Sequence, residues 1–180
     1  MWVFGYGSLI WNPGFVWVER RLARVEGFRR SFCMRSIHHR GTPEMPGLVL
    51  ALDPAEGTAC EGVAFAVAPA AADVTLSYLR ERELISSAYL EQHLPVALDD
   101  GRLVEAVTYV VDPGHVQYCG GLGLEEQAQI IARARGGRGP NSEYLRNTTC
   151  HLEELGIADA ELRWLSQRVN CLLNGHQPEA

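Results

Sequence analysis

The sequence predicts an α+β protein with a curved, barrel-like mixed β-sheet and helices packed against it. Strand-like segments dominate the first part of the chain, one helix is inserted among them, and helical segments fill the last third. A doubly wound sheet is disfavoured because it needs strands and helices in regular alternation. The chain has 180 residues, 47% of them hydrophobic, which fits a single domain over residues 1–180.

Glycine and proline divide the first part of the chain into strand-like segments. These predicted strands are Trp2 to Phe4, Phe28 to Arg35, Gly47 to Leu52, Gly62 to Val67, Leu94 to Leu98 and Val104 to Val110. The inserted helix runs from Ala71 to about Ser86. Asp73 lies near its start, where a carboxylate suits the positive end of the helix dipole.

Three further helices are predicted in the last third of the chain. The first covers Leu124 to Ala132, and the second covers Ser142 to Leu155 after Asn141 as a capping candidate. Gly136 to Pro140 interrupts the chain between them. The last helix runs from Asp159 to about Leu173, with an apolar stripe formed by Leu162, Leu165, Val169 and Leu172 or Leu173.

The charged residues exclude several classes of function. The net charge is −6, and all 16 basic residues are arginine. A lysine Schiff base and a P-loop lysine are therefore excluded. Without a basic block, neither nucleic acid nor an anionic membrane is expected as a partner. We expect a cytoplasmic protein, since the N-terminus has no charged leader and no apolar segment reaches about twenty residues. An oligomeric state is not predicted.

The cysteines and histidines do not indicate a metal site. Five cysteines form no C-x-x-C pair, which is typical of reduced thiols in an intracellular protein. His38 and His39 are adjacent, so in a strand they would point to opposite faces, and the other histidines are scattered. We predict no metal site.

The segment Val3-Phe4-Gly5-Tyr6-Gly7-Ser8-Leu9 has the composition of a backbone anion cradle. Glycine permits positive φ and lets a ligand approach the main chain, so that successive N–H groups can converge on an oxyanion. A tight turn after a short strand is an equally good interpretation. Ser8 is interpreted as a hydrogen-bond donor, because the surrounding residues do not form the G-x-S-x-G pattern of a nucleophile.

Glu81 and Glu83 are two candidates for acid or base chemistry in the inserted helix. One helical stripe contains Leu76, Leu79 and Glu83, and another contains Val74, Tyr78, Glu81 and Ile85. Periodicity does not choose between them, and both could be solvated partners of neighbouring arginines. A glutamate against apolar neighbours would have a raised pKa, which suits proton exchange near neutral pH.

Arg138-Gly139-Pro140-Asn141-Ser142-Glu143-Tyr144-Leu145 combines a cationic loop with a tyrosine in the first turn of a helix. The phenol of Tyr144 could bind a substrate. Packing of this tyrosine on the sheet, with Asn141 acting only as a cap, is the structural alternative.

Four segments carry a resemblance to a known family. Trp2 to Trp11, His39 to Gly47, the helix with Tyr78-Leu79 and Arg82-Glu83, and Gly139 to Leu145 occur in this order in ChaC-like glutathione-specific γ-glutamylcyclotransferases. Leu124 to Ala132 and His151 to Ile157 also look like the bacterial branch of that family, so the match covers nearly the whole chain.

The resemblance implies an intramolecular reaction that needs no cofactor. The free α-amine of the γ-glutamyl group attacks its own γ-amide carbon, and glutathione yields 5-oxoproline and cysteinylglycine. Glu83 would be the catalytic carboxylate, a choice over Glu81 that comes from the resemblance alone. The substrate-binding residues would be Val3, Phe4, Gly5, Tyr6, Gly7, Ser8, Leu9, Tyr89 and Tyr144.

One segment departs from the family pattern. The family usually has a glycine shortly before the tyrosine that follows the catalytic glutamate, whereas this chain has Ser86-Ser87-Ala88-Tyr89. The role of Tyr89 and the choice between glutathione and other γ-glutamyl amines or conjugates therefore stay open. A non-catalytic γ-glutamyl- or peptide-binding module is the other alternative. It is favoured if Glu83 lies in solvent or far from the glycine loop, the segment Val3 to Leu9.

Overall fold

A closed five-stranded barrel with an inserted helix is the central feature of the computed structural model, which describes residues 1–85 and 87–175. The described strands are β1 (Trp2–Gly5), β2 (Glu19–Ser36), β3 (Gly47–Ala66), β4 (Tyr89–Leu98), β5 (Leu103–Val111), β6 (Arg135–Gly136) and β7 (Gly139–Pro140). The described α-helices are α1 (Ala72–Glu83), α2 (Leu124–Arg133), α3 (Asn141–Glu154) and α4 (Ala160–Leu173). The predicted α+β class with a barrel-like mixed sheet is confirmed.

The barrel has the strand order β1-β3-β2-β4-β5 and closes through pairing of β5 with β1 and β3. β1 runs antiparallel to β3 and parallel to β5, so the sheet is mixed. The Thr108 hydroxyl also donates to the Phe4 carbonyl oxygen at 3.1 Å. β1 is therefore held from both sides.

Two apolar clusters use opposite faces of these strands. The first draws buried residues from all five strands and fills the barrel, with Phe4, Val25, Leu52, Val96 and Val110 among its members. The second lies beneath α1 and contains Val3, Leu9, Val67, Leu79, Val107 and Tyr109. Because both clusters include residues of β1, the barrel and α1 are packed around the start of the chain.

β3 is one strand of 20 residues, whereas the sequence predicted separate strands at Gly47 to Leu52 and Gly62 to Val67. The prediction of two strands was wrong because Pro54 and Gly57, which lie between them, do not end the strand. A bent strand tolerates both residue types at irregular positions, and Gly57 has φ +75°. The neighbouring β2 contains Gly27 at φ +79° and begins at Glu19, nine residues before the predicted start at Phe28.

The helix boundaries agree with the predictions to within a few residues. α1 ends at Glu83, three residues before the predicted end at Ser86, which lies outside the described residues. Asp73 is in its first turn. α4 begins after Asp159, whose carboxylate accepts from the Leu162 N–H at 3.0 Å. Among the described helices, none is both long and apolar enough to span a membrane.

The contacts between Cα atoms group the chain into two units. The first contains residues 1–31 and 51–118, and the second contains residues 32–50 and 119–175. In the second unit, α4 packs against α2 and α3, and Arg168 on α4 forms an ion pair with Glu125 on α2 at 2.7 Å. A single domain over residues 1–180 stays a prediction.

Asn141 is a buried link within the second unit and not the helix cap that the sequence predicted. Its side chain is fully buried, accepts from the Leu48 N–H at 2.6 Å and donates to the Leu48 carbonyl oxygen at 2.7 Å. α3 begins at Asn141 itself, with Pro140 at the capping position. The prediction was wrong because a partner 93 residues away in the chain takes both groups of the amide.

We expect Asn141→Ala to lower the free energy of unfolding by about 2–4 kcal/mol, because the variant leaves a buried N–H and a buried carbonyl without partners. Denaturant titration followed by circular dichroism measures the change. Arg146→Ala, at an exposed position of the same helix, is the matched control. Equal stability of the two variants would show that the amide of Asn141 contributes little.

Candidate functional site

The glycine loop, Val3 to Leu9, begins in β1 and runs into a short 3-10 turn over Ser8–Ile10. Val3, Phe4, Tyr6 and Leu9 are all buried, and Ser8 is half-buried. The apolar side chains therefore serve the two cores, and the backbone and the Ser8 hydroxyl are the groups of this loop that suit polar chemistry. The substrate-binding role of Val3 to Leu9 stays a prediction.

Gly5 in the loop and Gly62 in β3 are required for close packing. Gly7 has φ −133°, so it does not use the positive φ that the sequence suggested. A Cβ atom at Gly5 would lie 2.9 Å from the Leu9 Cβ, and one at Gly62 would lie 2.4 Å from the Gly5 carbonyl oxygen. A side chain at Gly5 would thus displace Leu9, and a side chain at Gly62 would push the loop away from β3.

Two polar contacts fix the loop at Tyr6. The Tyr6 hydroxyl donates to the Tyr109 carbonyl oxygen at 2.7 Å, and Arg30 Nε donates to the Tyr6 carbonyl oxygen at 2.6 Å. The first contact joins the loop to β5, and the second joins it to β2. The backbone that follows β1 is held in place before any ligand binds.

The structure resolves the orientation of the two glutamates on α1. Leu79 is fully buried, whereas Val74 is 75% exposed and Ile85 is 69% exposed. The stripe that contains Leu79 and Glu83 therefore faces the barrel. The Glu83 side chain is 19% exposed, and Glu81 lies on the exposed side of the helix.

Arg82 connects the last turn of α1 to the glycine loop. Its Nε lies 2.9 Å from Glu83 Oε1, and its Nη2 donates to Ser8 Oγ at 2.8 Å. Its Nη1 donates to the carbonyl oxygens of Asn12 and Pro13 at 2.6 and 3.3 Å and to the Tyr78 hydroxyl at 3.1 Å. With 11% of its side chain exposed, this guanidinium favours the ionised form of the adjacent carboxylate.

A second polar network lies beneath α1. Tyr109 on β5 is paired across the sheet with Glu91 on β4, and its hydroxyl donates to Glu91 Oε2 at 3.2 Å. Arg80 donates to both oxygens of Glu91 at 2.7 and 2.8 Å and holds the pKa of Glu91 below its usual value. Burial, followed by the charges of Glu91 and Glu83, raises the pKa of Tyr109. The phenol therefore stays neutral, and Glu83 acts on it electrostatically.

Tyr89 is the first residue of β4 and packs against the cluster that contains Leu79 and Tyr109. It is thus in the part of the structure that contains Glu83 and the glycine loop. Tyr144 belongs to the second unit and is buried on α3. The substrate-binding roles of Tyr89 and Tyr144 stay predictions.

In the second unit, Arg40 lies over the Tyr144 ring at 5.6 Å, and Phe32 meets this ring edge-on at a centroid distance of 6.0 Å. Arg40 Nη1 donates to the Pro140 carbonyl oxygen at 3.1 Å and lies 3.9 Å from Glu143 Oε1. Burial lowers the pKa of Arg40. The segments His39 to Gly47 and Gly139 to Leu145 are therefore neighbours in the fold.

The departure from the family pattern has a conformational consequence at Ser87. This residue has φ +54°, in the left-handed region that favours glycine. Its N–H donates to the Leu84 carbonyl oxygen at 3.1 Å, which closes the turn after α1. A serine thus occupies a turn that a glycine would adopt with less strain.

The described residues contain no group of three or more histidine, cysteine or acidic side chains that could hold a metal ion. Within the same residues, the five cysteines form no disulfide, and burial raises the pKa of Cys119.

Sequence reasoning missed the roles of Arg82, Tyr109 and Glu91. A usable signal for Arg82 was its i,i+4 spacing from Tyr78, which places both on one face of the helix. The pair of Tyr109 and Glu91 depends on the strand register, which alternation alone does not give.

Comparisons with known proteins show which family and which fold this chain resembles. A family model described as "ChaC-like protein" matches residues 1–172. A glutathione-specific γ-glutamylcyclotransferase of Escherichia coli K12 is 37% identical over 99% of this chain and 77% of its own length. Gamma-glutamylcyclotransferase 2-3 of Arabidopsis thaliana is 34% identical over 97% of this chain and 90% of its own length. A crystal structure of a selenomethionine-labelled γ-glutamyl cyclotransferase specific to glutathione from yeast is similar with a TM-score of 0.89, 25% identity and coverage of 99% of both chains.

We expect Ser87→Gly to raise the free energy of unfolding by up to about 1 kcal/mol, since relief of roughly 1–2 kcal/mol at positive φ exceeds the added entropy of glycine in the unfolded chain. Ser87→Val should lower it, because a branched side chain is least tolerated there. Ser77→Gly, at an exposed position within α1, should be destabilising and serves as the control. Thermal unfolding compares the variants, and a valine variant as stable as the glycine variant would contradict the interpretation.

Proposed function

The chain belongs to the family of ChaC-like proteins, and we propose that it converts glutathione into 5-oxoproline and cysteinylglycine with Glu83 as general base and acid. The main support is the half-buried Glu83 carboxylate, which one guanidinium joins to Ser8 of the glycine loop. This arrangement puts a proton acceptor and a polar loop in one place. The small-molecule substrate follows from the relatives, whose names specify glutathione.

The first step is removal of a proton from the substrate. The α-amine of a γ-glutamyl group has a pKa of about 8 and is mostly protonated at neutral pH. The Glu83 carboxylate takes this proton, and the neutral amine attacks the γ-amide carbon to form a five-membered ring. Arg82 supports this step because its positive charge favours the ionised carboxylate.

The second step returns the proton. The tetrahedral intermediate carries the new C–N bond and the old one, and the old bond breaks when the departing nitrogen of cysteinylglycine receives the proton from Glu83 and the oxyanion re-forms the carbonyl. The ring nitrogen loses its second proton as the lactam forms, and that proton leaves with the released amine, which departs as an ammonium ion. No water is consumed, so the reaction is an elimination of the amine and not a hydrolysis. One carboxyl group serves as base and then as acid.

The loop residues Val3 to Leu9 are proposed to hold the γ-glutamyl group in a bent conformation. Holding the amine against the carbonyl carbon lowers the barrier by several kcal/mol through orientation alone. The backbone N–H groups at the start of the 3-10 turn and the Ser8 hydroxyl are donors for the α-carboxylate or the oxyanion. Removal of one such donor typically lowers the rate by about 10²–10³-fold.

Tyr89 and Tyr144 are proposed as further substrate contacts. Tyr89 packs in the cluster beneath α1 that also contains Leu9 of the glycine loop and Leu79 of α1. Tyr144 has a ring fixed by Phe32 and Arg40, which would present its phenol in one orientation. No cofactor, metal, nucleic acid or membrane is part of the proposal, and a cytoplasmic location is expected from the sequence.

Other γ-glutamyl amines or conjugates form a second candidate substrate class. The serine at φ +54° in the turn after α1 favours this alternative, because the turn leads directly to Tyr89. A non-catalytic binding module is not proposed, since the Glu83 side chain is 19% exposed and is linked to the loop through Arg82.

We expect the purified protein to release 5-oxoproline from glutathione and Glu83→Gln to lower this rate by at least about 10²-fold, because the amide cannot accept the proton. Glu81→Gln, on the exposed face of the same helix, is the matched control and should keep the activity. Chromatographic detection of 5-oxoproline, with γ-glutamyl dipeptides assayed in parallel, separates the two substrate classes. Retained turnover in the folded Glu83→Gln protein would remove Glu83 from the mechanism.

Chelators should leave the rate unchanged, because proton transfer by Glu83 and ring closure need no Lewis acid. The assay is repeated after dialysis against a strong chelator. Loss of activity that a divalent metal restores would contradict a metal-independent mechanism.

A further inference from the structure

We infer that Arg82 is a positioning residue of the reaction, which holds the Glu83 carboxylate and the Ser8 hydroxyl in fixed relative places without contacting the substrate. The inference rests on the proposed function and adds a residue to it. The starting point is that one planar guanidinium bonds to both groups, through Nε to Glu83 and through Nη2 to Ser8.

The hydrogen bonds of Arg82 commit most of its guanidinium to partners within the protein. A guanidinium has five N–H groups and no acceptor. Asn12, Pro13 and Tyr78 accept from Nη1, while Ser8 and Glu83 engage Nη2 and Nε. Because only 11% of the side chain is exposed, these protein partners replace the water that the cation has lost.

The contact with Ser8 also determines how the serine can act. Arginine cannot accept a hydrogen bond, so Ser8 Oγ is the acceptor and its own hydrogen points elsewhere. The hydroxyl is thus prepared to donate to an anionic group of the substrate. The same guanidinium contacts the Glu83 carboxylate through Nε, so the base and the donor are held by one planar group.

The contacts with Asn12 and Pro13 give this arrangement its rigidity. Both carbonyl oxygens lie in the chain segment that follows the 3-10 turn of the glycine loop. Arg82 therefore binds the loop at Ser8 and again after the turn, while its own backbone is fixed in the last turn of α1. A small displacement of the loop relative to α1 would break several bonds together.

Few other titratable groups face Glu83 from the elements packed on α1. Tyr109 on β5 has a raised pKa, and Glu91 on β4 has a pKa lowered by Arg80, so neither changes charge near neutral pH. Tyr78, on α1, accepts from Arg82, and Tyr89 on β4 is a phenol in the adjoining cluster. The acidic limb of the pH–rate profile will therefore report the ionisation of Glu83.

The test compares Arg82→Gln with Arg80→Gln, which removes the same charge from the same helix but from an ion pair with Glu91. The expected result for Arg82→Gln is a fall in kcat of at least about 10²-fold and a displacement of the acidic limb to higher pH by about one to three units. The limb moves to higher pH because, without the cation, the Glu83 carboxyl group ionises at higher pH. Arg80→Gln should keep the wild-type limb.

Arg82→Lys separates charge from position. A lysine keeps the positive charge, but its ammonium lacks the planar geometry that lets Arg82 bond to Glu83 Oε1 and Ser8 Oγ together. The acidic limb of the pH–rate profile should therefore return toward that of the wild type, while kcat stays low. A purely structural role would give folded variants with an unchanged limb and kcat restored by lysine. That outcome would overturn the inference.

A measurement on the wild-type protein covers the case in which Arg82→Gln does not fold, and it requires no turnover. The Arg82 Nε–H resonance, assigned by its loss in Arg82→Lys, should shift as Glu83 is titrated with acid and should not shift in Glu83→Gln. A resonance that is insensitive to pH would overturn the inference even if glutathione is cleaved. Absence of turnover together with a titrating resonance would contradict the proposed function and leave the positioning of Glu83 supported.

Discussion

The buried guanidinium of Arg82 constrains the first unit because a charged group with 11% of its side chain exposed needs a protein acceptor for each N–H that has lost water. The acceptors come from the glycine loop, from the segment at Asn12 and Pro13 and from α1 itself. The glycine loop and the last turn of α1 must therefore adopt one relative position. Glu83 is the last residue of the helix, so its place is determined by the same bonds.

Local sequence signals predicted those elements of the fold whose partners are close in the chain. The stripe of Leu162, Leu165 and Val169 gave α4 nearly to the residue, since all three are buried on one helical face. β3 was divided wrongly because Pro54 and Gly57 break strands in isolation, whereas pairing along a closed barrel holds them within one. Tertiary pairing overrode the local preference in that case.

In the candidate site, too, local sequence patterns predicted some features, and contacts between distant parts of the chain determined the others. Helical periodicity correctly left Glu81 and Glu83 as alternatives, because the stripe that faces the barrel is chosen by burial of Leu79 against strands far away in the chain. Arg82 was overlooked because a run of alternating charges is typical of a solvated helix face. Asn141 has a partner at Leu48, and no pattern within one helix reveals such a bond. Residues whose chemistry depends on distant partners require the three-dimensional structure.

The environment of Glu83 combines two opposite influences on its proton affinity. Arg82 favours the ionised carboxylate, whereas the half-buried position beside the apolar cluster of Leu9 and Leu79 disfavours charge. A carboxylate with only the cation beside it would bind a proton too weakly to deprotonate an amine of pKa about 8. With only the apolar surroundings, the group would be protonated before the substrate arrives and could not act as a base. A mechanism in which one carboxyl group takes a proton and returns it to a second nitrogen needs both the cation and the apolar surroundings. At Glu83, the cation comes from Arg82 and the apolar surroundings come from the cluster beneath α1.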